Sequence, residues 1–425
     1  MNLFKNNTNN KLLLAFILSI FIYAFNVYSA QRVGSDHLIQ LGTAVNFIEG
    51  NGFTLLSTQD FNQIDKVTIE SWPYFYRIFS TPVLLITNKN IEITFYIVLV
   101  LGYAFFLFSL LYFINKLEIQ YKQRIMFLAC ILIPIITSAI KYGGDIDLFS
   151  VGVTLLSLTF LIDYWYKDQK LKYIILFSVF VALLPQMRYA YIPQTLAFIM
   201  FFMLVHFFSG KLMKNKSHYL FLFLPVISLV YIIQSPYFQK TSSKIITNTS
   251  EKISLYDNFQ LWLKPFYAPF FNSFFPDYII VSFLKRFSFY ESIILFIMIA
   301  FMLASIIIAI VLFRKYLKGI NSIKILFEKS KIYQTGLIMI ILSTLVFYIY
   351  LYKKSLYNIE DINSGLIIYK SLAVVNRYFI PLHISMLLLA IIYSFPLKNT
   401  SKFFRVLLFS SISFGLAHYS YLRIK

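Results

Sequence analysis

Residues 11–30 read KLLLAFILSIFIYAFNVYSA, and residues 35–53 follow with SDHLIQLGTAVNFIEGNGF. The first run is predominantly apolar and has the length of a membrane-spanning helix. In the second, apolar residues recur at spacings of three and four between Leu38 and Ile48, which predicts a short helix that ends at the following glycines. The sequence therefore predicts a span, then a helix lying along the membrane surface, with Asp36 where the chain leaves the bilayer.

Apolar runs like the first recur along the whole chain, which is 59% hydrophobic over 425 residues and has a mean hydropathy of +0.71. Soluble domains are about 45–50% apolar. We therefore predict an all-α polytopic membrane protein, with residues 1–425 as a single transmembrane domain of about eleven helices and no separate soluble domain. The spans are expected near residues 11–30, 94–114, 125–140, 148–164, 173–187, 190–208, 219–234, 289–313, 334–352, 379–394 and 404–421. The single cysteine, Cys130, lies in one of them, which excludes a disulfide framework and a cysteine-based metal site.

The net charge of +20 comes from lysines and arginines that cluster in alternate short loops. The clusters lie near residues 116–124, 167–172, 211–216, 314–331 and 398–405. By the positive-inside rule these loops are cytoplasmic, as is the N-terminus, and the long loops 31–93, 235–288 and 353–378 face outward from the inner (plasma) membrane. Orientation, with some attraction to anionic membrane lipids, explains the basic excess, so we expect no nucleic acid as a partner.

Five charged residues stand at the predicted outer mouths of the spans: Asp36, Asp145, Asp147, Arg188 and Arg377. Carboxylates there can cap helices and arginines can extend to the headgroups, which are the structural interpretations. The functional interpretation is one outward-facing site. A carboxylate can act as a general base or bind a divalent cation, and a guanidinium matches the geometry of phosphate oxygens.

Aromatic and imidazole side chains next to these charged residues are predicted to line the same cavity. They are His37, Trp72, Tyr74, Tyr189 and Tyr378. Because Trp and Tyr favour the headgroup level, simple interfacial anchoring is the alternative. The aromatic loop 235–288 is predicted either to cover the cavity or to anchor in the interface in the same way.

Taken in order, these segments resemble the GT-C superfamily of polytopic glycosyltransferases, in particular its protein O-mannosyltransferase and lipid A aminoarabinose transferase branches. The resemblance rests on Asp36 followed by Glu49-Gly50-Asn51-Gly52-Phe53, on Trp72-Pro73-Tyr74, on Asp145 and Asp147 before Leu148-Phe149, on Arg188, and on Arg377-Tyr378-Phe379-Ile380-Pro381. Many members have paired acids where this chain has Asp36-His37, and the acids at 145 and 147 straddle the expected position, so the choice between them stays open.

The resemblance implies an enzyme that transfers a sugar from a polyprenyl-phosphate donor to a lipid, glycan or protein acceptor on the periplasmic or extracytoplasmic face. Asp36 is then the catalytic base, and Arg188 and Arg377 bind the donor phosphate. Asp145 or Asp147 orients the acceptor or, together with Asp36, ligates a divalent metal ion, and the metal requirement stays open.

Two other functions remain open at the level of sequence. One is an O-antigen-type polysaccharide polymerase, which would depend on Lys285 and Arg286 more than on Asp36. The other is a transporter or flippase for lipid-linked glycans, which would need charged residues deep in several spans.

Overall fold

The computed structural model describes residues 7–30, 35–56, 66–68, 75–117, 147–167, 169–208, 216–235, 322–328 and 331–354, with isolated positions within 124–135, 307–318 and 381–392. These residues are mostly helical. The helices are α1 (Asn7–Ala30), α2 (Ser35–Ile48), α3 (Phe75–Ile86), α4 (Ile91–Ile114), α5 (Asp147–Tyr166), α6 (Leu171–Met187), α7 (Ile192–Phe208), α8 (Phe223–Ile233) and α9 (Ile332–Lys354). Short 3-10 helices cover Tyr189–Tyr191, Lys216–Leu222 and Ile323–Phe327.

The helices of the described residues are compatible, by length and composition, with the predicted membrane protein. Four helical segments have the length and composition to cross a membrane: Ile91–Ile114, Asp147–Tyr166, Tyr189–Phe208 and Lys216–Ile233. Shorter apolar helical segments coincide with three further predicted spans: Leu14–Ser29, Leu171–Met187 and Ile332–Val346. The predicted spans near 125–140, 289–313, 379–394 and 404–421 lie wholly or largely outside the described residues, so the count of about eleven stays a prediction.

The short helix expected after the first span is α2, which runs from Ser35 to Ile48. Gly50 and Gly52 follow with φ of +80° and +67°, a left-handed backbone that glycine adopts without steric cost. This turn leads into β1 (Thr54–Leu56), which pairs antiparallel with β2 (Lys66–Thr68). The sequence analysis does not predict this two-stranded ribbon.

Helices α4 and α5 are parallel neighbours. A Cβ placed on Gly102, in the middle of α4, would lie 3.7 Å from Cβ of Phe149, near the start of α5. Just past the end of α4, Nζ of Lys116 lies 2.8 Å from Oδ2 of Asp163, near the end of α5. Two consecutive parallel helices require the chain between them to return to its starting end, and the sequence predicts a span there, near residues 125–140.

Helices α1 and α6 run against this direction. In α1 and α4, the ring of Tyr23 stacks on Tyr103 with centroids 4.0 Å apart, and the later Tyr28 contacts the earlier Tyr96 at 5.7 Å. Helix α6 also runs antiparallel to α5. Phe180 of α6 contacts Phe160, late in α5, and Arg188, which follows α6, contacts the first residue of α5. The bundle thus has two ends.

We name these ends after α5: the Asp147 end, where α5 begins, and the Asp163 end, close to where it finishes. Sixteen residues at 1.5 Å each separate them by about 24 Å. At the Asp163 end the buried carboxylate of Asp163 lies 2.8 Å from both Lys116 Nζ and Lys167 Nζ. Two of the basic clusters identified in the sequence therefore meet at one end of the bundle.

The contacts of Asp163 keep Lys116 charged. Partial burial alone would lower the pKa of this lysine, but its hydrogen bond and Coulombic attraction to Asp163 outweigh that effect, so its pKa is raised above the ordinary 10.5. The Tyr112 hydroxyl adds a 3.4 Å hydrogen bond to the same carboxylate. This cluster ties the end of α4 to the end of α5.

Helix α9 packs against α5 at a glycine. A Cβ on Gly336 would stand 2.3 Å from Cδ1 of Leu158, a fully buried side chain of α5. Closer to the Asp147 end, Gln194 of α7 accepts a hydrogen bond from Thr154 of α5 at 3.2 Å and donates one to Thr344 of α9 at 2.9 Å. These contacts hold α5, α7 and α9 together in the interior.

We expect Gly336→Ala to destabilise the bundle by about 1–2 kcal/mol net, because overpacking a filled core outweighs the higher helix propensity of alanine. Heating the purified protein in detergent and following the loss of its monodisperse size-exclusion peak measures the change. Gly102→Ala is the matched control, since its added Cβ would make only an ordinary 3.7 Å contact. A Gly336 variant as stable as the control would show that α5 and α9 do not pack this closely.

Candidate functional site

A buried ion pair between Asp147 and Arg188 forms the centre of the site. Asp147 is the first residue of α5, and Arg188 follows the last residue of α6 in an extended conformation. Nε of Arg188 contacts Oδ1 of Asp147, and the side chains are only 10% and 1% exposed. A carboxylate at a helix start and a cation at a helix end both interact favourably with the helix dipole. These two positions therefore suit Asp147 and Arg188.

A cavity opens beside this ion pair at the Asp147 end. Its empty space, counted together with the solvent in its open mouth, is about 510 Å³. The lining residues come from α2 to α6 and the residue after α6: Gln40, Phe75, Tyr76, Phe79, Val98, Gly102, Asp147, Phe149, Ser150, Met187 and Arg188. Apolar walls with a few converging polar groups are typical of small-molecule sites.

One wall of the cavity is aromatic. The ring of Phe149 lies 5.5 Å from that of Phe75 and 5.1 Å from that of Phe79, which joins α3 to α5. Between these two phenylalanines of α3 lies Tyr76, and burial raises the pKa of its hydroxyl above the ordinary value. The tyrosine therefore keeps its proton at physiological pH and contributes a polar, uncharged group to the cavity.

Helix α2 brings the predicted base to this end of the bundle. Gln40 lines the cavity, and residues 36 and 40 are one turn apart on the same face of α2, about 6 Å along the helix axis. Asp36 and His37 belong to the first turn of α2. Their side chains lie outside what the structure describes.

The other predicted site residues fall into two groups. Tyr189 directly follows Arg188 in a 3-10 helix and is half-buried, but it does not line the cavity formed by the described residues. The remaining five lie outside the described residues: Trp72, Tyr74, Asp145, Arg377 and Tyr378. Of the charged candidates, the structure brings Asp147 and Arg188 into contact.

Sequence analysis missed two polar residues at this end, Gln40 and Arg77. Arg77 is fully buried in α3, next to the cavity-lining Tyr76, and its guanidinium lies 5.7 Å from the ring centroid of Phe53. The signal that could have identified it is its position as the sole charged residue of the apolar segment FYRIFSTPVLLI. The arginine joins α3 to the turn after α2, next to the cavity.

The structure describes the side chain of one of the three residues predicted to hold a divalent metal ion. Among the residues whose positions are described, no group of three or more His, Cys, Asp or Glu side chains is close enough to hold a metal ion. Two of the three proposed ligands, Asp36 and Asp145, have side chains outside that set. The third, Asp147, contacts Arg188.

The fold and the site define a multi-helix membrane-type protein with a buried acid–arginine pair in an aromatic-walled cavity at one end. Comparison with protein-family models, with curated proteins and with solved structures finds no match to this chain. The function must therefore be argued from the residues themselves.

We expect Asp147→Asn and Arg188→Gln each to lower stability by about 3–5 kcal/mol, because each leaves one buried charge without its partner. The double variant should lose clearly less than the sum of the two. Thermal unfolding in detergent of the four proteins of the cycle measures this coupling.

The control for this cycle is the exposed pair between Glu49 and Lys89, whose charged atoms are 2.8 Å apart and whose side chains are 41% and 43% exposed. Glu49→Gln should cost no more than about 1 kcal/mol. Equal losses from Glu49→Gln and Asp147→Asn would contradict a tightly coupled, buried pair.

Proposed function

We propose that this chain is a membrane glycosyltransferase that moves a sugar from a polyprenyl-phosphate donor to a lipid, glycan or protein acceptor at the outer face of the membrane. The main support is the cavity at the Asp147 end, where the buried Arg188 is held by Asp147 and faces an aromatic wall. Such a site suits a ligand that combines an anionic head with apolar surface.

The charge distribution supports an outward-facing cavity. Lys116 and Lys167 lie at the Asp163 end, and basic loops favour the cytoplasmic side. The Asp147 end, about 24 Å away along α5, then faces outward. A lipid-linked donor in the outer leaflet could enter this cavity with its phosphate near the membrane surface.

In this proposal Arg188 binds the donor phosphate and stabilises it as it leaves. When the bond from the anomeric carbon to the phosphate oxygen breaks, its electron pair moves onto the phosphate, and a preorganised, buried guanidinium stabilises that charge. A guanidinium has five N–H donors, more than one carboxylate accepts, so it suits simultaneous contact with Asp147 and phosphate. We assign Asp147 to positioning Arg188, whereas the acceptor role stays open for Asp145.

Asp36 is the proposed base. The acceptor hydroxyl attacks the anomeric carbon, its proton passes to the carboxylate of Asp36, and the configuration at that carbon inverts. Support comes from the place of residue 36 in the helix that lines the cavity, one turn from Gln40. A phosphate is a good leaving group, so the proposal requires no separate general acid.

We expect Asp36→Asn to lower transfer by about 10²–10⁴-fold, the usual contribution of a general base, without loss of expression or membrane insertion. The measurement uses purified protein, a panel of radiolabelled polyprenyl-phosphate hexoses and pentoses, and native membrane extract as acceptor. Glu49→Gln is the control, because Glu49 follows the far end of α2 and forms an exposed ion pair. Its transfer rate should equal that of the unmodified protein.

Three outcomes would contradict the proposal in different ways. Full transfer by the Asp36 variant would remove Asp36 from the mechanism. Movement of lipid-linked glycan across a vesicle membrane without sugar release would indicate a transporter. Polymer growth that tolerates Asp36→Asn but not changes at Lys285 and Arg286 would indicate a polymerase.

A further inference from the structure

A buried carboxylate at the Asp163 end is paired with more positive charge than it can neutralise. Asp163 has a side chain that is only 3% exposed, and its two oxygens lie 2.8 Å from Nζ of Lys116 and Nζ of Lys167. One lysine balances the carboxylate, so the second leaves a net charge of about +1. Because the two lysine side chains are 20% and 45% exposed, this excess lies at a surface. We call these three residues the Asp163 cluster.

Two further cations stand beside the Asp163 cluster. Nη1 of Arg124 donates a hydrogen bond to Oδ1 of Asn115 at 2.9 Å, directly next to the first lysine of the cluster in sequence. Nζ of Lys172 lies 5.0 Å from the ring centroid of Tyr173, and Nζ of Lys167 lies 5.9 Å from the same centroid. The positive charge therefore extends from the end of α4 to the start of α6.

The positive excess also holds for the surrounding sequence. Residues 115–124 and 163–173 supply all of these groups, and together they contain six lysines and arginines and three carboxylates, a net charge of +3. Like charges at such short range repel each other. An anion that contacts several of them is attracted to each and also reduces their mutual repulsion.

The Asp163 cluster lies where two helices of membrane-spanning length end. The ring of Tyr112, in the last turn of α4, has Nζ of Lys116 4.9 Å from its centroid, and its hydroxyl bonds to Asp163. Tyrosine favours the headgroup level of a membrane. One turn earlier in α4, Phe108 contacts Tyr112 and is 45% exposed. A phosphate that carries acyl chains meets both charge and apolar surface here, whereas a free anion meets the charge alone.

The donor capacity of the cluster suits a phosphodiester. An ammonium group has three N–H donors, so each lysine can bond to Asp163 and to a second acceptor at the same time. The carboxylate holds both ammonium groups in place before a ligand arrives, which reduces the side-chain entropy lost on binding. A phosphodiester has two non-bridging oxygens, one for each lysine. In phosphatidylcholine the choline balances the phosphate charge, so a site with a positive excess favours an anionic phospholipid.

We propose that the Asp163 cluster, together with Lys172, binds the phosphodiester of one anionic phospholipid in the leaflet at this end of the bundle. Basic loops favour the cytoplasmic side, whose leaflet carries the anionic lipids. General attraction to such lipids is shared by every basic loop, whereas this site holds one lipid through particular lysines. The inference is independent of the proposed function, because the cavity lies about 24 Å away along α5.

The experiment titrates the purified full-length protein, in a neutral detergent, with phosphatidylglycerol or phosphatidylcholine and counts the bound lipid molecules by native mass spectrometry. The test variants are Lys167→Met and Lys172→Met. The second leaves Asp163 with both of its lysines, so it keeps the test valid if the first variant does not fold. Thermal unfolding without added lipid shows which variants are folded.

The matched control is Lys324→Met, which removes the same charge from another basic loop at the same end. Lys324 is an exposed residue of the 3-10 helix Ile323–Phe327. The hydroxyl of Tyr166, the last residue of α5, bonds to the carbonyl oxygen of Phe327, which places this 3-10 helix at the Asp163 end. Diffuse attraction to anionic lipid would weaken equally in the control and in the test variants.

We expect the unmodified protein to retain one phosphatidylglycerol molecule in preference to phosphatidylcholine. The affinity for phosphatidylglycerol should fall about fivefold in each test variant, the usual effect of one lysine near an anionic membrane surface, and stay unchanged in Lys324→Met.

Three results would overturn the inference. Equal losses in the control and the test variants would show diffuse attraction rather than a site. Equal affinity for the two lipids would show that the cluster does not select an anion. Displacement of phosphatidylglycerol by an equal concentration of inorganic phosphate would show that the site binds a free anion and gains nothing from the acyl chains.

Discussion

The contact between Asp147 and Arg188 determines the shape of this end of the molecule. Removing a carboxylate and a guanidinium from water is costly, and their mutual attraction offsets that cost only while they stay together. The pair therefore fixes the start of α5 against the end of α6. Because α3 and α4 pack on these two helices, the cavity walls depend on the same contact. The guanidinium is then in place before any ligand arrives, which is what electrostatic preorganisation requires.

Helix α5 has a buried carboxylate near each end, but the two environments differ. Asp163 is shared by two lysines whose side chains are 20% and 45% exposed, so solvent weakens each interaction. Asp147 meets one arginine that is almost completely buried. The Asp163 cluster is suited to anchoring helix ends near polar headgroups, whereas the Asp147 pair creates a buried polar site. A charge-dependent reaction on a lipid phosphate is easier to stabilise in the second environment.

The parts of this structure that sequence could predict are those with a repeating signal. The spans follow from apolar length, as in α4 and α5, and α2 follows from its apolar periodicity. The three-residue strands are too short for any period to show, and α3 continues through Pro82, a residue that usually ends helices. The site was predicted as residue types at loop positions, and its pairing was not, because Asp147 and Arg188 are far apart in sequence. Gln40 and Arg77 were missed because their importance lies in what packs around them.

The neutrality of the buried pair limits what the head of a ligand can contribute. A phosphate approaching Arg188 meets a guanidinium already balanced by Asp147, so the net charge there gives little attraction. Affinity must then come mainly from apolar surface, and the aromatic wall around Phe149 supplies it at the same end of α5. Binding energy from a part of the substrate that does not react can hold the reacting part in position. In the proposed function, the apolar part of a lipid ligand therefore supplies the affinity, and the ion pair orients the phosphate, because its guanidinium has a fixed position and directional N–H donors.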